Sequence, residues 1–150
     1  MKWMGLACGA IVLAAGALAA DSTGRANISG EWQQATAAGK DSGEAWVLDS
    51  KPDAIHVTQL QNGQRVAEYD CNTLGRECDV KGSGRHAKVS FYFNGPKLVQ
   101  LETRGSEVVK RRFSVADQGN SMEVETMPIQ PAGKPAVQQF KRVPVSAAQK

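Results

Sequence analysis

The 150-residue chain has two histidines, His56 and His86, and any histidine-based metal site or acid–base catalysis would depend on them. A zinc site built on them would need two or three more ligands, and the carboxylates near them in sequence are only Asp53 and Glu68. A hydrolase triad could combine Ser90 with a histidine and Asp53, but no nucleophile elbow marks any serine. The sequence therefore predicts surface histidines, no metal site and no catalytic triad.

Glu123 and Glu125 are the other candidate pair, because alternate residues of a strand share a face and glycoside hydrolysis needs two carboxyl groups within reach. The neighbouring strand carries Lys110 and Arg112, and cross-strand ion pairs would account for both rows without catalysis. The chain also has no glycine-rich phosphate loop and no dinucleotide fingerprint. We expect a protein that is not an enzyme and that uses no cofactor.

Lys110, Arg111 and Arg112 form the one basic cluster in a chain whose formal net charge is +3. The cluster falls inside an alternating apolar run, which is typical of a solvated strand face. We therefore expect no nucleic-acid partner.

Residues 1–20 have the order of a secretory signal peptide, with Lys2 followed by an apolar run that ends in small residues. Ala17 and Ala19 form the cleavage pattern, so cleavage is expected after Ala19 or Ala20. The segment is at the short limit of a bilayer span, and we expect no stable membrane insertion after cleavage. The expected product is a periplasmic or secreted protein with one domain over residues 21–143 and a frayed tail over 144–150.

Cys71 and Cys78 remain after the leader is removed, and an oxidising compartment allows them to pair. Their spacing is not CxxC and no histidine accompanies them, so a structural disulfide is favoured over a redox or metal pair. Such a bond would hold the loop 72–77 in place.

Alternating residues and hairpin signals indicate an all-β protein. In residues 86–93 the side chains of Ala87, Val89, Phe91 and Phe93 share one face. Asn62-Gly63 is a strong two-residue hairpin signal. Strands are predicted at 28–34, 54–61, 65–71, 77–81, 86–93, 97–103, 108–115, 122–127 and 137–143, with 45–48 as a weaker tenth.

Consecutive hairpins make an antiparallel up-and-down meander, and closing it into a barrel removes the exposed edges of the first and last strands. We therefore predict a barrel of 8–10 strands. The start of the first strand and the end of the last share one end of the barrel only if the strand count is even. This favours ten strands, or eight if two of them merge.

The segment Gly30-Glu31-Trp32 resembles the opening Gly-x-Trp element of the lipocalin-like, or calycin, barrels. Phe140-Lys141-Arg142 is similar to their last strand, and the pattern also resembles small secreted barrels of bacteria. The resemblance implies structural roles for two residues: Trp32 would plug the closed end of the barrel, and Arg142 would pack across its ring in a cation–π contact.

Small barrels either fill their interior with side chains or hold one small ligand, and the sequence leaves both readings open. The candidate lining residues are Tyr69, Val89, Phe91, Phe93, Val99 and Leu101. The resemblance implies a non-catalytic binding module that carries or sequesters a small apolar ligand. The alternative is a protein-binding or inhibitor-type barrel that contacts an extracytoplasmic protein through the loop 72–77, since a clipped loop loses less entropy on binding.

Overall fold

The computed structural model describes residues 24–35, 43–82 and 86–144. The predicted signal peptide and residues 145–150 of the predicted tail lie outside them. The strands are β1 (Gly30–Ala35), β2 (Glu44–Ser50), β3 (Ala54–Gln61), β4 (Gln64–Asn72), β5 (Cys78–Gly82), β6 (Ala87–Asn94), β7 (Lys97–Arg104), β8 (Glu107–Ala116), β9 (Ser121–Gln130) and β10 (Ala136–Arg142).

The ten strands form a closed antiparallel barrel, which confirms the predicted fold class. Each strand pairs with the next, and β1 closes the sheet on β10 with Trp32 opposite Arg142. An even strand count brings the start of β1 and the end of β10 to the same end of the barrel, as this pair requires. The weakest of the predicted strands, at residues 45–48, is present as β2. Within the described ranges, a 3-10 turn at Asp117–Gly119 is the only helical segment, and no helix there could cross a membrane.

The turn between β3 and β4 has the geometry that its sequence predicted. Asn62 and Gly63 have φ angles of 51° and 76°, and positive φ at both central residues is the signature of a type I′ hairpin turn. Gln61 and Gln64 pair across this turn, and the register then shifts by one residue between Leu60 and Gln59.

Large apolar side chains fill the barrel at the end closed by Trp32. Trp46 and Phe113 come from strands that are not neighbours, and their rings meet edge to face with centroids 5.4 Å apart. Phe91 and Phe140 are 1% and 0% exposed. Residues lining a cavity large enough for water would keep more accessible surface, so this part of the barrel is a filled core.

The inward face of β7 differs from the prediction. The register pairs Val99 with Tyr92 and Arg112, and it pairs Leu101 with Ser90 and Lys110, so Val99 and Leu101 lie on the outer face. Their assignment to the lining was therefore wrong. The inward positions of β7 include polar residues. The prediction took the apolar residues Val99 and Leu101 as the inward ones, and these belong to the other face of the strand.

The basic cluster on β8 was predicted to lie on a solvated strand face, and only two of its three residues do. Lys110 and Arg112 lie outside, whereas Arg111 pairs with Gln100 and points inward with Phe113. The alternation of β8 already placed Arg111 in the same row as Val109 and Phe113. An inward arginine is tolerated because polar partners on other strands surround it.

Candidate functional site

Polar side chains occupy the inward face of the barrel beyond the filled core. Gln100 on β7 pairs with Phe91 on one side and Arg111 on the other, which places all three on the inner surface. Tyr69 on β4 pairs with the core residue Val57 and is inward as well. We define the polar lumen by the following residues: Glu44, Tyr69, Gln100, Glu102, Arg111, Thr126 and Gln138.

A directed hydrogen-bond chain links Arg111, Gln100 and Tyr69. Arg111 Nη1 donates to Gln100 Oε1 at 3.1 Å, and Gln100 Nε2 donates to the Tyr69 hydroxyl at 2.9 Å. An arginine can only donate, so the Gln100 oxygen must face Arg111 and its NH₂ group must face Tyr69. The Tyr69 oxygen therefore accepts, and its own O–H remains a donor.

Burial keeps the Tyr69 hydroxyl protonated. Desolvation raises the pKa of this phenol well above its ordinary value of 10.0, and the negative charge of Glu102 raises it further. The residue is 5% exposed. Tyr69 thus presents a neutral O–H group to the interior at any physiological pH.

Glu102 compensates the positive charge of Arg111. Its Oε2 atom lies 3.6 Å from Arg111 Nη1, and its Oε1 atom lies 3.5 Å from Arg104 Nη2. The Glu102 side chain is only 12% exposed, so the three groups form a partly desolvated ionic cluster on the inner surface. Arg111 is therefore held by an acid and an amide within one site.

A second polar group lies on the other side of the lumen. Glu44 accepts hydrogen bonds from Trp46 Nε1 at 3.1 Å and from Gln138 Nε2 at 3.3 Å. Thr126, next to Arg111 in the register, is inward and half-buried. An inward residue of a closed barrel can reach solvent only through the lumen, so this part of the interior is accessible to water.

The structure separates the predicted lining residues into four places. Tyr69 lies in the polar lumen and also contacts the core, whereas Val89 and Phe91 are packed core residues beside the lumen residues Glu102 and Gln100. Phe93 lies against the core, 4.4 Å from the Arg25 guanidinium, beside a crevice of about 450 Å³ that the segment 25–29 helps to line. Val99 and Leu101 lie on the outer face of the barrel, where Val99 is nevertheless only 1% exposed.

Sequence reasoning missed six of the seven residues of the polar lumen, and three of these could have been recognised. Gln100 and Glu102 stand in the same alternate row as Leu98 on β7, and Arg111 stands in the row of Val109 and Phe113 on β8. A polar residue inside an otherwise apolar row is the signal that could have identified them.

The closed end is fastened by Trp32 and Arg142. The Arg142 guanidinium lies 4.2 Å from the Trp32 ring centroid, which is the contact that the resemblance implied. Arg142 also donates to the carbonyl oxygens of Gly119, at 2.6 Å, and of Ser29 and Asn27. These contacts join the segment before β1, the turn before β9 and the end of β10, which is a structural role.

The predicted disulfide between Cys71 and Cys78 is present and clips a structured loop. Asn72 Oδ1 accepts the backbone N–H groups of Leu74, at 3.0 Å, and Arg76, at 3.2 Å. The Gly75 N–H donates to the Phe91 carbonyl at 2.8 Å, which ties the loop to β6. Leu74 is nevertheless 56% exposed at its tip.

The two histidines considered for metal binding and catalysis lie on the outer surface beside carboxylates. His56 lies between Asp70, at 2.8 Å, and Glu68, at 3.1 Å, and His86 lies 3.2 Å from Asp79. Within residues 24–35, 43–82 and 86–144, no three His, Cys, Asp or Glu residues are grouped so as to hold a metal ion.

The two carboxylates of β9 make cross-strand contacts rather than facing each other across a cleft. Glu125 pairs with Arg112, whose Nε lies 3.1 Å away, and Glu123 accepts from Gln139 at 3.0 Å. This is the pairing that the sequence suggested for Glu125, and it uses that carboxylate without catalysis.

Solved structures share this barrel at low sequence identity. A secretory abundant heat soluble protein from Ramazzottius varieornatus matches with a TM-score of 0.62 and 14% identity, covering 77% of this chain and 95% of its own. A fatty acid transporter named REP1-NXSQ matches with a TM-score of 0.58 and 16% identity, covering 79% and 97%. Secretory abundant heat soluble protein 4 from the same Ramazzottius species matches with a TM-score of 0.59 and 12% identity. The match covers 77% of this chain and 94% of that protein.

These similarities show a common lipocalin-like barrel fold. No protein-family model matches the chain, and no curated protein sequence matches it either.

Proposed function

We propose that the chain is an exported, non-catalytic barrel that binds one small amphiphilic ligand in the polar lumen. The observation that carries this proposal is a set of inward polar groups beside a filled apolar core, of which Arg111, Thr126 and Gln138 are only half-buried. Their internal contacts leave the Tyr69 O–H and further Arg111 N–H groups as donors, and a few converging polar groups beside apolar side chains are the usual arrangement of a small-molecule site. The fatty acid transporter among the structural neighbours supports a binding role for this fold.

The ligand proposed here differs from a purely apolar one. Val89 and Phe91 are both 1% exposed and already packed, so the apolar part of a ligand has to lie elsewhere. Val109 on β8 and Pro128 on β9 are register partners on the inner surface, and both are half-buried. They offer apolar contacts beside the polar groups. A molecule with one polar group and a short apolar body fits this division.

Export is part of the proposal. The Cys71–Cys78 disulfide suits an oxidising compartment. Two of the structural neighbours are named secretory proteins. Cleavage of residues 1–20 after Ala19 or Ala20 would release a single domain over residues 21–143 into the periplasm or the medium.

Native mass spectrometry of the mature protein, purified without denaturation from its own compartment, tests the proposal. We expect a retained small molecule in the wild type and its loss in Thr126→Trp, because the added indole occupies the polar lumen. The control is Thr103→Trp, the same substitution at a half-buried position that pairs with Lys88 on the outer face. Circular dichroism checks that both variants fold.

Two results would contradict the proposal. One is a bare wild-type protein that also fails to take up any added amphiphile. The other is equal retention in the two tryptophan variants, which would place the molecule outside the lumen.

A second candidate is a protein-binding role for the loop 72–77. The specific observation is the exposed Leu74 on a loop held by a disulfide and by Asn72, since a pre-organised loop loses little entropy on docking. In this case the native spectrum would retain a protein partner that Leu74→Asp abolishes and Thr126→Trp preserves.

A further inference from the structure

The charges of the polar lumen indicate which kind of ligand head group it accepts. The inward row of β7 and β8 carries Arg104, Arg111 and Glu102, and Glu107 pairs with Arg104 at the rim. Glu44 adds a third carboxylate through its contact with the inward Gln138. The polar lumen and its rim residues Arg104 and Glu107 thus carry two positive and three negative side chains, so the site has no excess of positive charge.

The hydrogen-bonding capacity that remains on Tyr69 and Arg111 is that of a donor. The Tyr69 oxygen is occupied by Gln100, which leaves the phenolic O–H to donate. Arg111 contacts Gln100 and Glu102 through Nη1, and a guanidinium carries further N–H groups. Gln100 fills the space between Tyr69 and Arg111, so a ligand atom would contact the remaining O–H or N–H groups beside it. Such an atom must accept hydrogen bonds, which favours an oxygen.

Both kinds of charged head group meet a penalty at this position. An anion on Arg111 would come close to Glu102, whose carboxylate is 3.6 Å from the same guanidinium and largely shielded from water. A cation would face Arg111 and could not accept from Tyr69. Charges at partly buried sites are screened much less by salt than charges on the surface.

We propose that the polar lumen takes an uncharged amphiphile with an oxygen head group, such as a long-chain alcohol, ester or amide, and discriminates against the corresponding fatty acid anion. This inference rests on the proposed ligand-binding function. It assigns Tyr69 and Arg111 as the head-group donors and Glu102 as the residue that sets specificity by repelling carboxylates.

Three probes with alkyl chains of the same length distinguish uncharged, anionic and cationic head groups: dodecanol, dodecanoate and dodecyltrimethylammonium. Their affinities are measured at neutral pH, below micellar concentrations, by displacement of a fluorescent apolar dye from the wild-type protein. We expect dodecanol to bind about tenfold or more tightly than either charged probe, a difference of one decade in Kd. Equal or tighter binding of a charged probe would overturn the inference while leaving the proposed function intact.

Variants then test which residues distinguish the uncharged probe from the carboxylate. Glu102→Gln should increase the affinity for dodecanoate about tenfold and change that for dodecanol little, because it removes the repelling charge and keeps the shape. Tyr69→Phe should weaken dodecanol about fivefold to tenfold through the lost hydrogen bond. Glu125→Gln, in an ion pair on the outer face, is the matched control and should change neither affinity.

The outcomes also distinguish the two levels of the proposal. If no probe binds the folded wild type, the proposed function itself fails. If dodecanol binds best but Glu102→Gln leaves the dodecanoate affinity unchanged, the assignment of Glu102 is wrong.

Discussion

His56 illustrates how partners on neighbouring strands set the chemistry of one side chain. Its Nδ1 lies 2.8 Å from Asp70 and its Nε2 lies 3.1 Å from Glu68, so both ring nitrogens face hydrogen-bond acceptors. Only the imidazolium form can donate from both nitrogens. The hydrogen bond to Asp70 is the largest cause that raises the His56 pKa above 6.5; desolvation opposes it and Glu68 adds to it.

The raised pKa of His56 predicts a pH-dependent contribution to stability. Because the folded-state pKa lies above the unfolded value, the stabilisation is fully present below about pH 6.5 and is lost as pH rises through the folded pKa. His56→Gln should therefore lower the free energy of unfolding at about pH 5.5, by less than about 1 kcal/mol because the pair is partly exposed, and by almost nothing at about pH 8.5. Urea unfolding of both proteins at the two pH values is the measurement, and a deficit that grows with pH would contradict it.

At the scale of elements, the junction between β4 and β5 depends on the disulfide. In the part of the chain that the structure describes, the ladder between these strands has two pairs, Ala67 with Gly82 and Glu68 with Lys81. The Cys71–Cys78 bond joins the same strands at the other end, where they separate into the loop 72–77. The disulfide therefore holds the barrel wall together where backbone pairing is short.

Removing this bond should destabilise the barrel. A cross-link between residues separated by 7 positions closes a short loop in the unfolded chain, and the double variant Cys71→Ala/Cys78→Ala should lose about 2 to 3 kcal/mol. The urea midpoint of the double variant is compared with that of the oxidised wild type. Reduced wild type should approach the variant, and identical midpoints for all three would show that the bond contributes nothing.

At the scale of the whole molecule, the barrel is divided into a filled part and a polar part with different tolerance to substitution. Phe113 is 1% exposed and touches Trp46 across the interior, whereas Val109, two residues away on the same inner row, is half-buried beside Glu102. The filled part supplies the core, and the polar part can change its side chains with smaller losses.

Alanine substitutions on β8 measure this division. Phe113→Ala should cost about 3 to 5 kcal/mol because it leaves a cavity in a packed core. Val109→Ala should cost about 1 kcal/mol, since its side chain is already partly exposed. Equilibrium unfolding gives both values, and similar losses at the two positions would mean that the interior is packed evenly throughout.

The sequence by itself determined the strands, the even strand number, the barrel and the disulfide. These features depend on local alternation, hairpin residues such as Asn62-Gly63 and the spacing of Cys71 and Cys78, all of which can be read within short segments. The same holds for the residues that the resemblance assigned to the closed end, since the contact of Trp32 with Arg142 follows once the barrel closes.

Only the tertiary structure decided which side chains form the candidate site. Alternation gives two faces of each strand, but an inward polar residue is stable only if partners far away in sequence satisfy it. Gln100 meets Tyr69, 31 residues earlier, and this contact exists only after the barrel has closed. For this physical reason apolar character favoured Val99 and Leu101 for the interior, where the folded chain instead places Gln100, Glu102 and Arg111.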